Sequence, residues 1–371
     1  MAVADTMTTQ SATGTVRVWD LGVRLFHWLF AAGIFAELAL GFFFPSSQAL
    51  HAWIGYALAG LISYRLIWGF TGSTFARFSA FPPSINAAIA HVSGKHSAGL
   101  GHNPLGALMV YGLLGIGLLM VLTGMATFGG IERLGPVAAL FSVQGGEIAR
   151  LVHTAAAFLL VAMILAHIGG VAFESRREKQ NLARAMVTGK KDVVPDATPV
   201  RQPRARATAG TLAAVALLAV AAIVGIKSLP QPRIPRDAPL TAWVEECGAC
   251  HTPHHPSLLP ARTWGMVMTS LEDHFGEDAS LDAKTTESIT TWLVANGANS
   301  FDTKAAAWFR QPDAAEPLRI TATARWKEIH EDLPDTVFKR VKVGSPANCG
   351  ACHGDAVSSR FARASIAIPP E

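Results

Sequence analysis

Five stretches of the chain are apolar for about the twenty residues that a helix needs to cross a bilayer. They run over about 23–44, 51–70, 105–128, 148–173 and 209–226. The first follows a polar stretch and has no A-x-A-like cleavage site, so it reads as a retained anchor and not as a cleaved signal. Beyond residue 228 the long apolar runs stop. Short helix-like periods replace them, as in TWGMVMTSLEDHF and AKTTESITTWLVANGA, with little of the alternation that marks strands. The pattern predicts an all-α protein, with membrane helices first and a mostly helical soluble domain after them.

Composition agrees with this mixture. The chain has 371 residues, half of them hydrophobic, with a mean hydropathy of +0.30 and 16% charged residues. That is too apolar for an ordinary soluble protein of this size and too charged for spans throughout. The net charge of +4 conceals an asymmetry. From Leu229 onward 14 Lys and Arg face 18 Asp and Glu, whereas the part before it holds 17 against 9. The stretch ESRREKQNLARAMVTGKK, with Arg201, Arg204 and Arg206, places nine basic residues between spans four and five. The linkers between spans one and two, and between three and four, hold only Arg133 and Arg150. The positive-inside rule then sets the N-terminus in the cytoplasm, and five crossings put the C-terminal domain in the periplasm of a bacterial inner membrane. Basic residues that flank spans do not form a nucleic-acid stripe, which excludes that class of partner.

All four cysteines lie in two copies of one pentapeptide, CGACH, at 247–251 and 349–353. C-x-x-C-H attaches c-type haem: two thiols bond the haem and the adjacent histidine supplies an axial nitrogen. A redox dithiol or a zinc site is the alternative for one such motif. Two copies that use every cysteine, on the side where attachment occurs, favour haem. The covalent set is Cys247, Cys250, Cys349 and Cys352, with His251 and His353 as proximal ligands.

Four histidines sit within the spans: His27, His51, His153 and His167. A lone membrane histidine is often an interhelical contact. His153 and His167 are fourteen positions apart, which returns them to within about 40° of one helix face with a rise of roughly 21 Å. Two stacked sites follow. By depth, His27 pairs with His167 on the inner side and His51 with His153 on the outer side, each pair suited to a non-covalent b-type haem. Arg24, one turn before His27, is a candidate partner for a haem propionate and equally an ordinary inner-face arginine. Glu37, mid-span, is a candidate for a proton or quinone role, or a hydrogen-bonding partner for a neighbouring helix.

The runs VRVWDLGVRLFHWLF, HAWIGYALAGLISYRLIWGFTGSTFARF, HNPLGALMV and HTAAAFLLVAMILAHIGGVAFESRREKQNLARAMVTGKK resemble the prokaryotic cytochrome b561 family, which includes the b-type subunits of nickel–iron hydrogenases. The resemblance implies a four-helix membrane bundle with two b haems that exchanges electrons with quinone. Thr154 departs from the pattern, since many relatives carry Glu beside the histidine.

Each c haem needs a distal ligand, and the candidates are His254, His255, His274, His330, Met266 and Met268. The stretches LLPARTW, DHFGEDASLD, RWKEIH and NCGACHGDA resemble a bacterial dihaem cytochrome c family. That likeness implies bis-histidine coordination, with His274 on the first c haem and His330 on the second. His254 and His255 fall outside the family pattern, and both methionines are expected in the core. His91, His96 and His102, in the inner loop, are expected to be solvated or near lipid headgroups.

The domain plan is a b561-like membrane domain over 1–190, a cytoplasmic linker over 191–208, a fifth transmembrane helix over 209–228 and a periplasmic dihaem domain over 229–371. It implies a multihaem electron-transfer protein between the quinone pool and a periplasmic redox partner, with quinol:cytochrome c-type activity. The alternative is a relay subunit of a larger dehydrogenase, hydrogenase or oxygen-reducing complex without its own quinone chemistry. A haem sensor is disfavoured because no output module is present.

Overall fold

The computed structural model describes residues 14–44, 46–95, 100–192 and 240–370, with single positions between 213 and 225. The 191–208 linker beyond Asp192, and the predicted fifth span apart from those positions, lie outside the described residues. The chain divides into two compact units. The first comprises Met1–Phe43, Leu50–Leu122 and Val152–Ala222, and the second Phe44–Ala49, Thr123–Leu151 and Ile223–Glu371.

Four long helices account for the first four apolar runs: α1 (Leu21–Phe43), α2 (Gln48–Thr71), α4 (Pro104–Ile131) and α5 (Val143–Arg177). Helices α1, α4 and α5 are long and apolar enough to cross a membrane. Helix α2 is as long but, with Arg65, His51, Ser63 and two tyrosines, falls short in hydropathy. At 35 residues, α5 extends about 52 Å and exceeds a bilayer's hydrocarbon core of about 30 Å. Its charged C-terminal turn therefore lies beyond the apolar stretch.

Helix starts follow local chemistry. Asp20 accepts the Val23 N–H at 2.8 Å and caps α1. Asn103 accepts from Gly106 ahead of Pro104, the first residue of α4, where a missing N–H costs nothing. A short helix α3 (Ile85–Val92) is capped by Ser84, and α6 (Leu182–Thr188) by Asn181.

Within the first unit, Ile34, Leu58, Ile116, Ala156 and Leu160 form an interhelical core, while Phe35, Trp53, Phe70 and Leu165 point outward at 66–77% exposure. An apolar outer face on helices of this length is what a lipid environment accepts. A second cluster packs Val18, Trp19, Val23, Phe75, Leu100 and Ala185. Beside it the chain departs from the all-helical expectation: β1 (Thr15–Arg17) pairs antiparallel with β2 (Lys190–Asp192), Val16 opposite Lys191. The expected domain edge at residue 190 thus falls inside a strand.

In the second unit the ends of α4 and α5 touch through glycine. A Cβ on Gly130 would sit 2.6 Å from the Gly146 Cα, so only a residue without a side chain fits there. The remainder is a set of short helices: α7 (Thr241–Cys247), α8 (Ala261–Met268), α9 (Ala283–Ala295), α10 (Lys304–Phe309), α11 (Ala324–Ile329) and α12 (Asp335–Phe338). Their core is Trp243, Leu258, Leu259, Trp264, Met268, Ile289, Leu293, Phe309 and Ile320. Met268 is buried there as expected, but Met266, two positions away on α8, is 41% exposed. Helical spacing turns it away from the face that buries Val267 and Met268.

Two side chains from the α10 region, Asp302 and Lys304, reach the ends of α4 and α5 within this unit. Lys304 Nζ lies 3.2 Å from Glu132 Oε1, and Arg133 Nη2 lies 3.3 Å from Asp302 Oδ2. Asp302 Oδ1 also accepts the N–H of Val143, the first residue of α5. A carboxylate at a helix N-terminus meets unsatisfied donors and the positive end of the helix dipole.

Candidate functional site

The structure draws eight of the chain's histidines into four pairs, and the pairs share one dimension. In the first unit, His27 on α1 and His167 on α5 have ring centroids 6.4 Å apart, and His51 on α2 and His153 on α5 are 6.1 Å apart. In the second unit, His251 and His274 are 6.3 Å apart, and His330 and His353 are 6.2 Å apart. A metal bound to an imidazole nitrogen at about 2.0 Å lies about 3.1 Å from the ring centre, given ring bonds of about 1.35 Å. Two axial histidines on one iron are then separated by about 6.3 Å. All four pairs fit that spacing.

Each ring of the second unit is held by its own local device. His251 ends the first CGACH, just after α7, and its Nδ1 hydrogen-bonds the Thr252 carbonyl at 2.8 Å. His274 sits in a tight turn closed by its N–H to Glu277 O at 2.8 Å, with Phe275 and Gly276 at positive φ. His330 follows α11, which Thr323 caps; its Nδ1 bonds Trp326 O at 2.8 Å and its ring stacks on Trp326 at 4.4 Å. His353 lies in a bridge with Ile366. With Nδ1 engaged on a carbonyl, His251 and His330 leave Nε2 for a metal, the usual outer-shell arrangement of ligating histidines. A 240 Å³ cavity opens beside His274, lined by Val267, Ser270, Asp273, Phe275 and Leu318.

The four thiols are free. Burial pushes the Cys247 and Cys349 thiols up to about 11. A reactive redox dithiol draws on a lowered thiol pKa, and the burial of these two thiols works against it.

Comparison with known families decides the identity. The model of the prokaryotic cytochrome b561 family matches residues 18–189, and that of the dihaem cytochrome c family matches residues 243–361. The chain is a fusion of these two families. A diheme cytochrome type c from Shewanella baltica OS155 is 32% identical over 35% of this chain and 92% of its own, with a TM-score of 0.28. Two structures of the Rhodobacter sphaeroides diheme cytochrome c are 35% and 37% identical. They match 34% and 33% of this chain and 97% and 95% of their own, with TM-scores of 0.27 and 0.28. No curated protein matches the chain. The b561–dihaem fusion is therefore a membrane electron-transfer protein that uses b-type and c-type haem.

The remaining predicted site residues fall as follows in the b561 part. Glu37 pairs its carboxylate with His51 Nδ1. Arg24 donates from Nη1 to the Val187 carbonyl, while its Nε is buried without a hydrogen-bond partner among the described residues. His91 is not solvated. It is 2% exposed, its Nε2 lies 3.2 Å from Glu174, and its carbonyl accepts from Arg177 at 2.9 Å. His102 packs between Trp19 and Phe81, at 4.6 and 4.3 Å, and burial with Arg65 and Lys191 nearby holds its pKa down to about 3. Both corrections have one cause: the inner loop folds α3 onto α5 and lays residues 100–103 over the Trp19 cluster. His96 lies outside the described residues.

In the dihaem part, His254 and His255 take structural roles. His254 Nε2 donates to Ala347 O at 2.9 Å, and His255 Nδ1 accepts the Ser257 N–H. Thr252 was not singled out by sequence, yet it joins the two haem motifs. Its hydroxyl donates to Asn348 Oδ1 at 2.8 Å and accepts from Gly350 N at 2.9 Å. A Cβ at Gly350 would lie 2.5 Å from that hydroxyl, which is why the second motif carries glycine there. Arg65 was also overlooked. It is 3% exposed within α2, its guanidinium lies 4.9 Å from the Phe78 ring centre, and Nη1 has no hydrogen-bond partner among the described residues. An arginine inside an apolar run is a signal that sequence does carry.

Proposed function

We propose that the chain transfers electrons between the membrane quinone pool and a periplasmic redox protein, using two b haems and two c haems. His27 with His167 and His51 with His153 would hold the b haems. Cys247, Cys250, His251 and His274 would hold one c haem, and Cys349, Cys352, His353 and His330 the other. The observation that carries the reading is the common spacing of 6.1–6.4 Å in all four histidine pairs.

Haem iron, when bound, supplies reversible one-electron chemistry. The chain's own residues orient it. Carbonyls of Thr252 and Trp326 fix the tautomers of His251 and His330, and bis-histidine ligation favours lower potentials than histidine–methionine ligation. The nine basic residues after span four support an N-terminus in the cytoplasm and a dihaem domain in the periplasm. The ion pairs Lys304–Glu132 and Arg133–Asp302 support a dihaem domain held at the ends of α4 and α5 and not swinging freely.

The test is anaerobic addition of a reduced quinol to the purified chain, with the b and c α-bands recorded separately. Quinol-dependent appearance of both bands is expected. If dithionite reduces both and quinol reduces neither, the quinone assignment fails and the chain is a relay subunit whose donor copurifies with it.

A further inference from the structure

We infer that Glu37 is a positioning residue for His51, and that its carboxylate lowers the reduction potential of the His51–His153 centre selectively. The inference rests on the proposed b-haem ligation by that pair.

The two histidine pairs of the b561 part differ in what stands behind them. Glu37 lies on α1, with its side chain 12% exposed, and its carboxylate meets His51 Nδ1. His153 hydrogen-bonds the backbone of Met120. Among the described residues the histidines with a carboxylate at ion-pair distance are His51 and His91, so the His27–His167 pair has no such neighbour there. A carboxylate within a span is costly to bury and persists where a partner compensates it. Here the partner is a ring that faces a second histidine at ligand spacing.

The chemistry follows from that contact. A carboxylate beside Nδ1 favours the His51 tautomer that carries its proton there, which leaves the Nε2 lone pair for a metal. A carboxylate behind the ring makes the imidazole a stronger donor and adds negative charge near the iron. Both favour the oxidised state and so lower the potential of that centre, whereas the His27–His167 centre has no such carboxylate among the described residues.

The experiment is an anaerobic redox titration of the purified, haem-loaded full chain, with the b α-bands and the low-spin ferric EPR signals followed together. Three variants are compared: Glu37→Gln, Glu37→Asp and His51→Ala. In Glu37→Gln, both b haems are retained and one b midpoint rises. At a fixed ambient potential its reduced-to-oxidised ratio grows about tenfold, which is about 59 mV for a one-electron couple. The other b haem and both c haems keep their midpoints. Glu37→Asp, which keeps the charge, returns the shifted midpoint toward the wild-type value. Packing alone at residue 37 would not produce that rescue.

Wild-type midpoints and EPR signals in Glu37→Gln overturn the inference, as does an equal shift of both b haems. His51→Ala separates this from the underlying reading, because it removes one b haem if His51 is a ligand. Retention of both b haems in His51→Ala refutes the ligation itself. Loss of one, with an unshifted Glu37→Gln, refutes only the role of Glu37.

Discussion

Lys304 offers a direct test of how the dihaem domain is held. Its Nζ lies 3.2 and 3.4 Å from the two Glu132 oxygens, and the side chains are only 7% and 14% exposed. Removing one member of a fully buried pair costs about 3–5 kcal/mol, because the other charge is left behind. Two observations reduce that figure. Glu132 retains some solvent, and Gln48 Nε2 lies 3.4 Å from the same carboxylate. We therefore expect Lys304→Met to cost about 2–3 kcal/mol. The neighbouring Arg133–Asp302 pair has a partner 36% exposed, so Asp302→Asn is expected to cost less, about 1 kcal/mol. The assay inserts a protease site within residues 229–239 of the full chain, cleaves it, and measures by c-haem absorbance how much dihaem domain stays with the membrane part on dilution. Lys304→Met should weaken retention about 30–150-fold. The double variant Lys304→Met with Glu132→Gln should recover most of that loss, since no buried charge is left unpaired. Additive losses in the double variant, or a change under about twofold in the single one, would refute the reasoning.

Three further outcomes follow. Burial holds His255 at about 4, below the free imidazole's 6.5, so between these values the unfolded chain binds the extra proton. The His255 contribution to the stability of the dihaem domain is therefore complete above about pH 6.5 and is lost, by up to about 3 kcal/mol, as pH drops to 4; the midpoint of urea-induced loss of the c-haem Soret band checks this, with His255→Gln reducing the slope over that window. Gly350→Ala, whose Cβ would meet the Thr252 hydroxyl at 2.5 Å, should destabilise the domain by about 1–3 kcal/mol, with partial rescue by Thr252→Ala, which removes that hydroxyl. Cys349→Ala should lower covalent haem per chain from two to one, read by haem staining of the denatured protein, while non-covalent b haem stays unchanged.

The sequence alone determined what depends on short-range pattern. Apolar run length predicted the four long helices to within a few residues, except that α5 extends five residues earlier and four later than its apolar core, because a helix continues past the lipid-compatible stretch wherever caps and propensity allow. Two CGACH motifs could be read as pointing to covalent haem because attachment chemistry needs only neighbouring residues. The fourteen-residue spacing of His153 and His167 was legible because one helix sets it. Tertiary structure decided everything that required two distant segments to meet. It brought His274 to His251 and His330 to His353, paired β1 with β2 across most of the first unit, and turned His91 from an expected surface residue into a buried partner of Glu174. It also supplied Glu37 with His51, Lys304 with Glu132, and Thr252 with the second haem motif. Ion pairs and side-chain hydrogen bonds have no period along a chain. Their partners are chosen by packing, and only the folded chain reveals them.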